Sequence, residues 1–424
     1  MSLAETDIGA IAPNWKVLPL KDVAEKPQYG LTARAAKSGD AKFLRITDIT
    51  ERGVDWATVP FCVAPKKKID ICRLKSGDIV FARIGATTGK SYMINDPPEA
   101  VFASYLIRVR VGDELEPGFL IQFFQSSGYW RQIDANKHAN LKKGVNGSVL
   151  SELLVPLPPL PEQKKIVHIL STVQRAIKTQ DRIIQITTEL KKALTQNLFT
   201  EGLHNEPQKQ TEIGPIPKSW NVIALSDVCT FQSGGTPSKK KPEYWEGTIP
   251  WVSPKDMKRP RLDDVTDHIS QEGLEDGSKL APAGSVFVVV RGMILAKTVP
   301  VALAEAPMAI NQDMRAIIPG TKIHSDFLLY ALETYRSNLF KKVGRSGHGT
   351  ATLMSSEISA FKIPMPNRDT QEEIAAAIQN IEAKVSHHDR KRDQLQDLFR
   401  TLLHELMTAK TRVHELHLPE LKVY

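Results

Sequence analysis

The chain lacks any long apolar run. None of its 424 residues lies in a stretch approaching 18 apolar positions, so no segment is expected to span a membrane. Its opening, "MSLAETDIGA", holds two acids and no apolar signal core, and a soluble, cytoplasmic protein is expected. Cysteine is scarce and badly spaced for chemistry. Cys62, Cys72 and Cys229 are odd in number, far apart and never C-x-x-C, which argues against a disulfide framework or a zinc site and for reduced thiols.

Catalytic signatures are missing as well. There is no G-x-S-x-G, no Asn-Pro-Pro-Tyr-like methyltransferase motif and no convincing Asp/Glu-x-Lys nuclease core. His404-Glu405 and His414-Glu415-Leu416-His417 do not form H-E-x-x-H and read as surface histidines. The nearest approach to a cofactor motif is "IVFARIGATTGKS" (79–91), which resembles a P-loop. A P-loop needs four residues between its glycines and a helix behind it. Here Gly85 and Gly89 enclose three, and Asn95-Asp96-Pro97-Pro98 forbid a helix. No nucleotide, metal or other cofactor is expected, and no catalytic residue is assigned.

What the chain does have is positive charge. Its net charge is +8 and its sequence pI about 9.1, compatible with a polyanionic partner such as nucleic acid. Its length suits two or three domains, with 41% hydrophobic residues to build their cores.

It also says everything twice. Ile8, Gly9, Trp15, Val17, Leu20, Asp22 and Val23 recur as Ile213, Gly214, Trp220, Val222, Leu225, Asp227 and Val228, an offset of 205. Pro156, Pro158, Gln163 and Ile166 recur at an offset of 208 as Pro364, Pro366, Gln371 and Ile374. The second copy therefore gains about three residues, placed near Lys239–Glu246.

Each copy begins with short strands broken by Gly, Pro, Asn and Asp, such as "AKFLRITDI", "GDIVFARIG" and "LIRVRVG", or "IPWVSP", "GSVFVVVRG" and "MRAIIPG". One helix is expected inside each, "PGFLIQFFQSSGYWRQI" and "SDFLLYALETYRSNLF", and each closes on a Pro-rich strand. The fold class is α+β, with two similar globules related by a pseudo-twofold.

A long polar helix follows each globule. Ile166, Leu170, Val173, Ile177 and Ile184 mark an apolar stripe on the first, and Ile374, Ile378, Ile381, Val385 and Leu395 on the second. Forty residues without Pro or Gly and a narrow stripe favour a coiled coil over a helix packed on a core. Each helix is about 60 Å long, and the link from Glu201 to Gly214 reaches at most about 45 Å. If the stripes pair, the helices must be antiparallel, giving a dumbbell with two half-sites for a duplex in opposite orientation.

Both copies carry basic segments without acids. "ANKHANLKKGVNGSVLS" lies between Asp134 and Glu152 and holds Lys137, His138, Asn140, Lys142, Lys143 and Asn146. "SNLFKKVGRSGHGTATLMSS" lies between Glu333 and Glu357 and holds Arg345, Ser346, His348 and Thr350. The strand-end turns add Arg83, Thr87, Thr88 and Lys90 in one copy and Arg291 and Lys297 in the other; the shared pattern is a strand delivering Arg, then a loop, then Lys. Weaker candidates are Ser233, Lys239, Lys240, Lys255, Gln312 and Arg315. Such side chains reach phosphates with Lys and Arg, and base edges with Asn, Gln, Arg, Ser or Thr.

"TEIGPIPKSWNVIALSDV", "FQSGGTPS…EYWEGTIPWVSPKDM", "NQDMRAIIPG" and "IPMPNRDTQEEIAAAI" together resemble the DNA specificity (S) subunit of type I restriction–modification systems. "VPLPPLPEQKKIVHIL" is similar to the segment opening the family's first long helix. Copy one departs most, lacking S-G-G-T-P and replacing N-Q-D-M-R with "FASYLIRV". The resemblance implies target recognition domains at 1–161 and 214–369, spacer helices at 162–203 and 370–413, a linker at 204–213 and a tail at 414–424. It implies that each globule reads half of a bipartite, asymmetric double-stranded DNA site. The helices would set the spacing and dock two DNA methyltransferase (M) subunits, which a restriction/translocase (R) subunit can join. Two alternatives stay open: a non-catalytic coiled-coil scaffold without DNA readout, and an enzyme using the Gly-rich turn for nucleotide.

Overall fold

The computed structural model describes residues 6, 8, 9, 11–50, 53–139, 144–345 and 351–413, with residues 137–139 and 345 described by their backbone alone. The chain divides into two compact units, residues 1–181 with 390–424, and residues 182–389.

Unit 1 is opened and closed by one strand pair. Lys16–Pro19 runs antiparallel to Leu154–Leu157, with Val17 opposite Pro156. Inside lies a four-stranded antiparallel sheet in the order Gln28–Tyr29, Leu106–Val109, Ile79–Ala82, Ser91–Met93. Ile79–Ala82 and Leu106–Val109 are buried throughout; the first is an unbroken apolar run, as a central strand requires, and the second buries Arg108, which donates to the Arg73 carbonyl at 2.8 Å and lies 3.8 Å from Asp78. A second sheet pairs Ala41–Leu44 in parallel with Ala100–Phe102 and antiparallel with Phe61–Cys62.

Unit 2 repeats this plan. Asn221–Ala224 pairs with Lys362–Met365. A five-stranded sheet runs Cys229–Ser233, Met314–Pro319, Val286–Val289, Val301–Ala304, Arg261–Leu262. Ile249–Val252 pairs in parallel with Met308–Ile310, so Val252 faces Ile310 as Leu44 faces Phe102 in unit 1.

The internal helices differ from the expectation. Each expected single helix is two: Pro117–Phe123 and Ser127–Ala139 in unit 1, Ser325–Thr334 and Arg336–Phe340 in unit 2. The break lets aromatics on both sides of it enter one core. Phe124 lies 4.8 Å from Phe81 and 4.8 Å from Tyr129, with Tyr129 fully buried. Tyr335, at the unit 2 break, packs 6.2 Å from Phe199.

The long helices span Leu160–Glu201 and Arg368–Met407. In unit 1, Ile166 and Leu170 from the start of the first share a buried core with Leu403, Leu406 and Met407 from the end of the second. In unit 2, Leu198 and Phe199 from the end of the first are buried with Ile374 and Ile378 from the start of the second. Within each unit, therefore, the start of one helix meets the end of the other and both are anchored on the globule, each buried Ile or Leu contributing about 1.5–3 kcal/mol. The mid-helix positions Val173, Ile177, Ile184, Ile381, Val385 and Leu395 are half-buried. Lys191 and Glu382, one from each helix in unit 2, form an ion pair at 2.5 Å. No helix among the described residues is long and apolar enough to cross a membrane.

Candidate nucleic-acid interface

In unit 2 the end of the five-stranded sheet gathers polar side chains from four chain segments. Ser233 ends its strand opposite Arg315, the second residue of the neighbouring one. The Arg315 guanidinium donates to the hydroxyls of Ser233 and Ser355. On the loop before it, exposed Gln312 is hydrogen-bonded to Thr236. Arg291, just beyond the strand Val286–Val289, is bridged through its backbone to Thr352 and lies 3.8 Å from Asp313, with its side chain 60% exposed. Lys297, at the end of a short 3-10 helix Met293–Ala296, is also exposed. Ser233, Arg291, Gln312 and Arg315 thus gather at one end of the sheet, beside neighbours that the sequence did not single out: Thr236, Thr352 and Ser355. Of these, Thr236 lies inside the G-G-T-P-S string, the one available signal.

The corresponding sheet end of unit 1 carries different chemistry. Arg83 is half-buried, its guanidinium 5.0 Å above the Tyr29 ring and 3.4 Å from the Ser104 carbonyl. The Tyr29 hydroxyl accepts from the Gly147 amide at 2.9 Å. Tyr105 is 57% exposed beside them, its carbonyl accepting from the Arg83 amide.

Backbone bonding fixes the correspondence between copies and corrects it. The Arg83 amide donates to Tyr105, and the Arg83 carbonyl accepts from Val145. In unit 2 these bonds belong to Val290, paired with Asp313 and Leu353. Arg83 therefore matches Val290, and Arg291 matches Ile84. A slip of one residue at a strand end turns a side chain to the other face, which is why one arginine is tucked in and the other projects. The lysines do not correspond either. Phe81 faces Ser91, and Val288 faces Val301; residues 83–90 make one connection and the longer 290–300 the other. Lys90 and Lys297 are both exposed, at different places on unlike loops.

The near P-loop is a tight turn between antiparallel strands. Gly85 and Gly89 take φ of 81° and 87°, values that glycine adopts without a Cβ penalty. The Thr88 hydroxyl donates to the Gly85 carbonyl at 2.7 Å, and Tyr129 donates to the Gly89 carbonyl at 2.6 Å. Thr88 is buried by these contacts, so its place among exposed DNA-facing residues is corrected; Thr87 is half-buried. Strand Ser91–Met93 follows, where a phosphate-binding loop would have a helix.

The first basic segment is also corrected in part. The helix Ser127–Ala139 runs through Lys137 and His138, whose side chains lie outside the description. Asn146 is no free reader: its side chain accepts from Val149 at 2.9 Å and caps the helix Gly147–Ser151. Asn140, Lys142, Lys143, Ser346, His348 and Thr350 lie outside the described residues, as do the side chain of Arg345 and the tail 414–424. Lys239 and Lys240 are exposed. Lys255 is held by Asp267 at 2.6 Å, a hydrogen bond that raises its pKa.

Copy one also keeps a glycine that its missing S-G-G-T-P string conceals. A Cβ on Gly30 would collide with the carbonyls of Phe102 and Ala103, and one on Gly234 with those of Ile310 and Asn311. Both chains must pass against the parallel strand pair at this point, and the Leu31 and Gly235 amides donate to the Phe102 and Ile310 carbonyls.

Among the described residues no group of His, Cys, Asp and Glu is placed to hold a metal ion. The faces at the two sheet ends offer cations, hydroxyls and amides in fixed positions, the donor and acceptor set that suits phosphates and base edges.

Comparison with known proteins is consistent with this architecture. Residues 13–188 and 217–397 each match the family described as Type I restriction modification DNA specificity domain. The EcoR124I/EcoR124II specificity subunit of Escherichia coli is 33% identical over 226 residues, covering 53% of this chain and 54% of that protein, so the chain matches about half of that relative's length. A Methanocaldococcus jannaschii chain assigned as the MjaX type I restriction enzyme specificity subunit is 26% identical over 96% of both chains. The crystal structure of the type I restriction-modification S subunit from M. genitalium shares the fold with a TM-score of 0.59 at 15% identity, over 93% of this chain and 96% of that one. With both of its halves matched in this way, the chain belongs to the type I restriction–modification DNA specificity family.

Proposed function

We propose that this chain is the DNA-reading subunit of a type I restriction–modification enzyme. Each unit reads one half of a bipartite, asymmetric site, unit 1 through the Tyr29–Arg83–Tyr105 face and unit 2 through the Ser233–Arg291–Gln312–Arg315 face. The observation that carries this reading is a conserved frame with unlike faces. The two copies keep the same strand pairings, yet place different side chains and connections of different length at the same sheet end. That is what two readers of different sequences require.

Lys90, Lys239, Lys240 and Lys297 supply salt-dependent attraction to phosphates, while the arginines, Gln312 and Ser233 address base edges. The two long helices set the distance between half-sites and dock two methyltransferase subunits, with a restriction/translocase subunit joining the assembly. The chain itself catalyses nothing and needs no cofactor; its place is the cytoplasm.

The test is a gel shift with the methyltransferase subunit present. Tight, salt-dependent binding to a duplex selected from a random library, in two specified blocks separated by an unspecified gap, is the expected result. Assembly with the methyltransferase without selection of any DNA sequence would leave the chain a scaffold.

A further inference from the structure

Unit 2 exposes apolar side chains where its cations are. Met293 is 80% exposed, the highest value among the described exposed large hydrophobic residues, and its neighbour Ile294 is 38% exposed. Met354 is 62% exposed. The two methionines lie on adjoining segments: the Gly292 amide donates to the Ala351 carbonyl and the Leu353 amide to Val290. They flank the polar face already described, since Met293 follows Arg291 by two residues and Met354 precedes Ser355, the partner of Arg315. Gly292 takes φ of 133° with open space around it, so the turn carries Met293 outward rather than back onto the sheet.

A single exposed apolar residue is ordinary. Two methionines set among Arg291, Arg315 and Lys297 are a patch of another kind. The cations would repel a basic protein partner and attract a polyanion. On DNA the apolar feature presented at the groove floor beside hydrogen-bonding edges is the thymine C5-methyl group. Methionine, unbranched and polarizable, adapts to such a contact.

We propose that Met293, aided by Met354, reads thymine methyl groups in the major groove of the half-site bound by unit 2. Arg291, Gln312 and Arg315 then take the hydrogen-bonding edges of the same stretch, and the methionines add discrimination of thymine from cytosine. This rests on the DNA-reading role proposed above.

The experiment uses the complete chain assembled with its methyltransferase subunit and a duplex selected from a random library. Each thymine is replaced in turn by uracil, which keeps every hydrogen-bonding group and loses only the methyl. At least one replacement in one half-site should weaken binding about four-fold, the effect of losing one buried methyl. In Met293→Ala combined with Met354→Ala that penalty should vanish, while uracil penalties in the other half-site persist. Both methionines are largely exposed, so these variants should fold like the parent. The inference is overturned if no thymine is methyl-sensitive, or if the penalty survives in the double variant. It is overturned too if the variant keeps every uracil penalty and instead loses the methyltransferase subunit, which would make the tip a protein contact. A complex that selects no DNA would remove the DNA-reading role itself.

Discussion

Gln163 and Gln371 make matching hydrogen bonds to the backbone in the two units. Each is wholly buried in the first turns of a long helix. Each amide oxygen accepts from a backbone N–H ahead of an internal helix, Glu116 at 2.8 Å and His324 at 2.8 Å. Each amide nitrogen donates to two backbone carbonyls: Glu114 at 3.0 Å and Pro158 at 2.9 Å for Gln163, Lys322 at 3.2 Å and Pro366 at 3.1 Å for Gln371. Gln371→Leu would strand buried backbone groups, each costing about 1–3 kcal/mol. Unit 2 should lose about 3 kcal/mol in all, visible in denaturant unfolding as a lower midpoint. A change under 0.5 kcal/mol would show that the amide is not a structural pin.

The two arginines should respond differently. Arg291→Ala should relax base preference at one position by about 1–3 kcal/mol and leave thermal unfolding unchanged, because the side chain projects. Arg83→Ala should lower stability by about 1 kcal/mol through loss of its stacking on Tyr29, with weaker binding as a second effect. Competition binding against single-base variants, alongside melting curves, separates the two. An Arg291→Ala loss that is equal for every sequence would make that residue positional.

Lys297→Ala should act on all sequences alike. Removing one phosphate contact should reduce the slope of log affinity against log salt by about 1. A change confined to one base position would mean that Lys297 reads bases.

The helices as a ruler can be tested by length. Four residues inserted beside Gln180 add about 6 Å and about one turn, comparable to two base pairs of DNA at about 3.4 Å each. The preferred gap between half-sites should change, or methyltransferase binding should fail. Full activity at the original spacing would end the ruler idea.

Burial also predicts alkaline sensitivity. The Cys229 thiol is pushed up to about 12, chiefly by burial, and burial likewise raises Tyr335 to about 12. Both give up protons more readily once unfolded. Their stabilisation is complete below the unfolded pKa values and is lost as pH rises towards the folded ones. Between pH 8.5 and 10.5 unit 2 should lose about 2–3 kcal/mol, measured as a shift in urea midpoint. Cys62 and Cys72, also raised by burial, should resist alkylation with Cys229 until the chain unfolds.

Much of the frame was legible in the sequence because it is written twice. The closing strands, the central strands and the helix-opening glutamines recur at fixed offsets, and apolar periodicity does the rest. The break in unit 1 was signalled by Ser126-Ser127-Gly128; the break in unit 2 was not legible, since nothing around Tyr335 marks a turn and the side chain there turns into the core beside Phe199. Nor was the slip between Arg83 and Arg291: register is set by pairing with Tyr105 and Asp313, partners over twenty residues away. The capping role of Asn146 and the burial of Thr88 depend on local geometry that residue type alone leaves open. Met293 is not legible either: one methionine after a glycine carries no pattern, and only its exposure singles it out.

The pairs Phe81–Ser91 and Val288–Val301 hold the same register while nine residues, 82–90, or twelve, 289–300, pass between them. Closing the longer connection costs only about 0.3 kcal/mol more in chain entropy. Novelty at the reading edge is therefore almost free of a folding toll, and a lineage under pressure to alter what it recognises can rewrite these connections by insertion as readily as by substitution, leaving the sheet beneath them untouched.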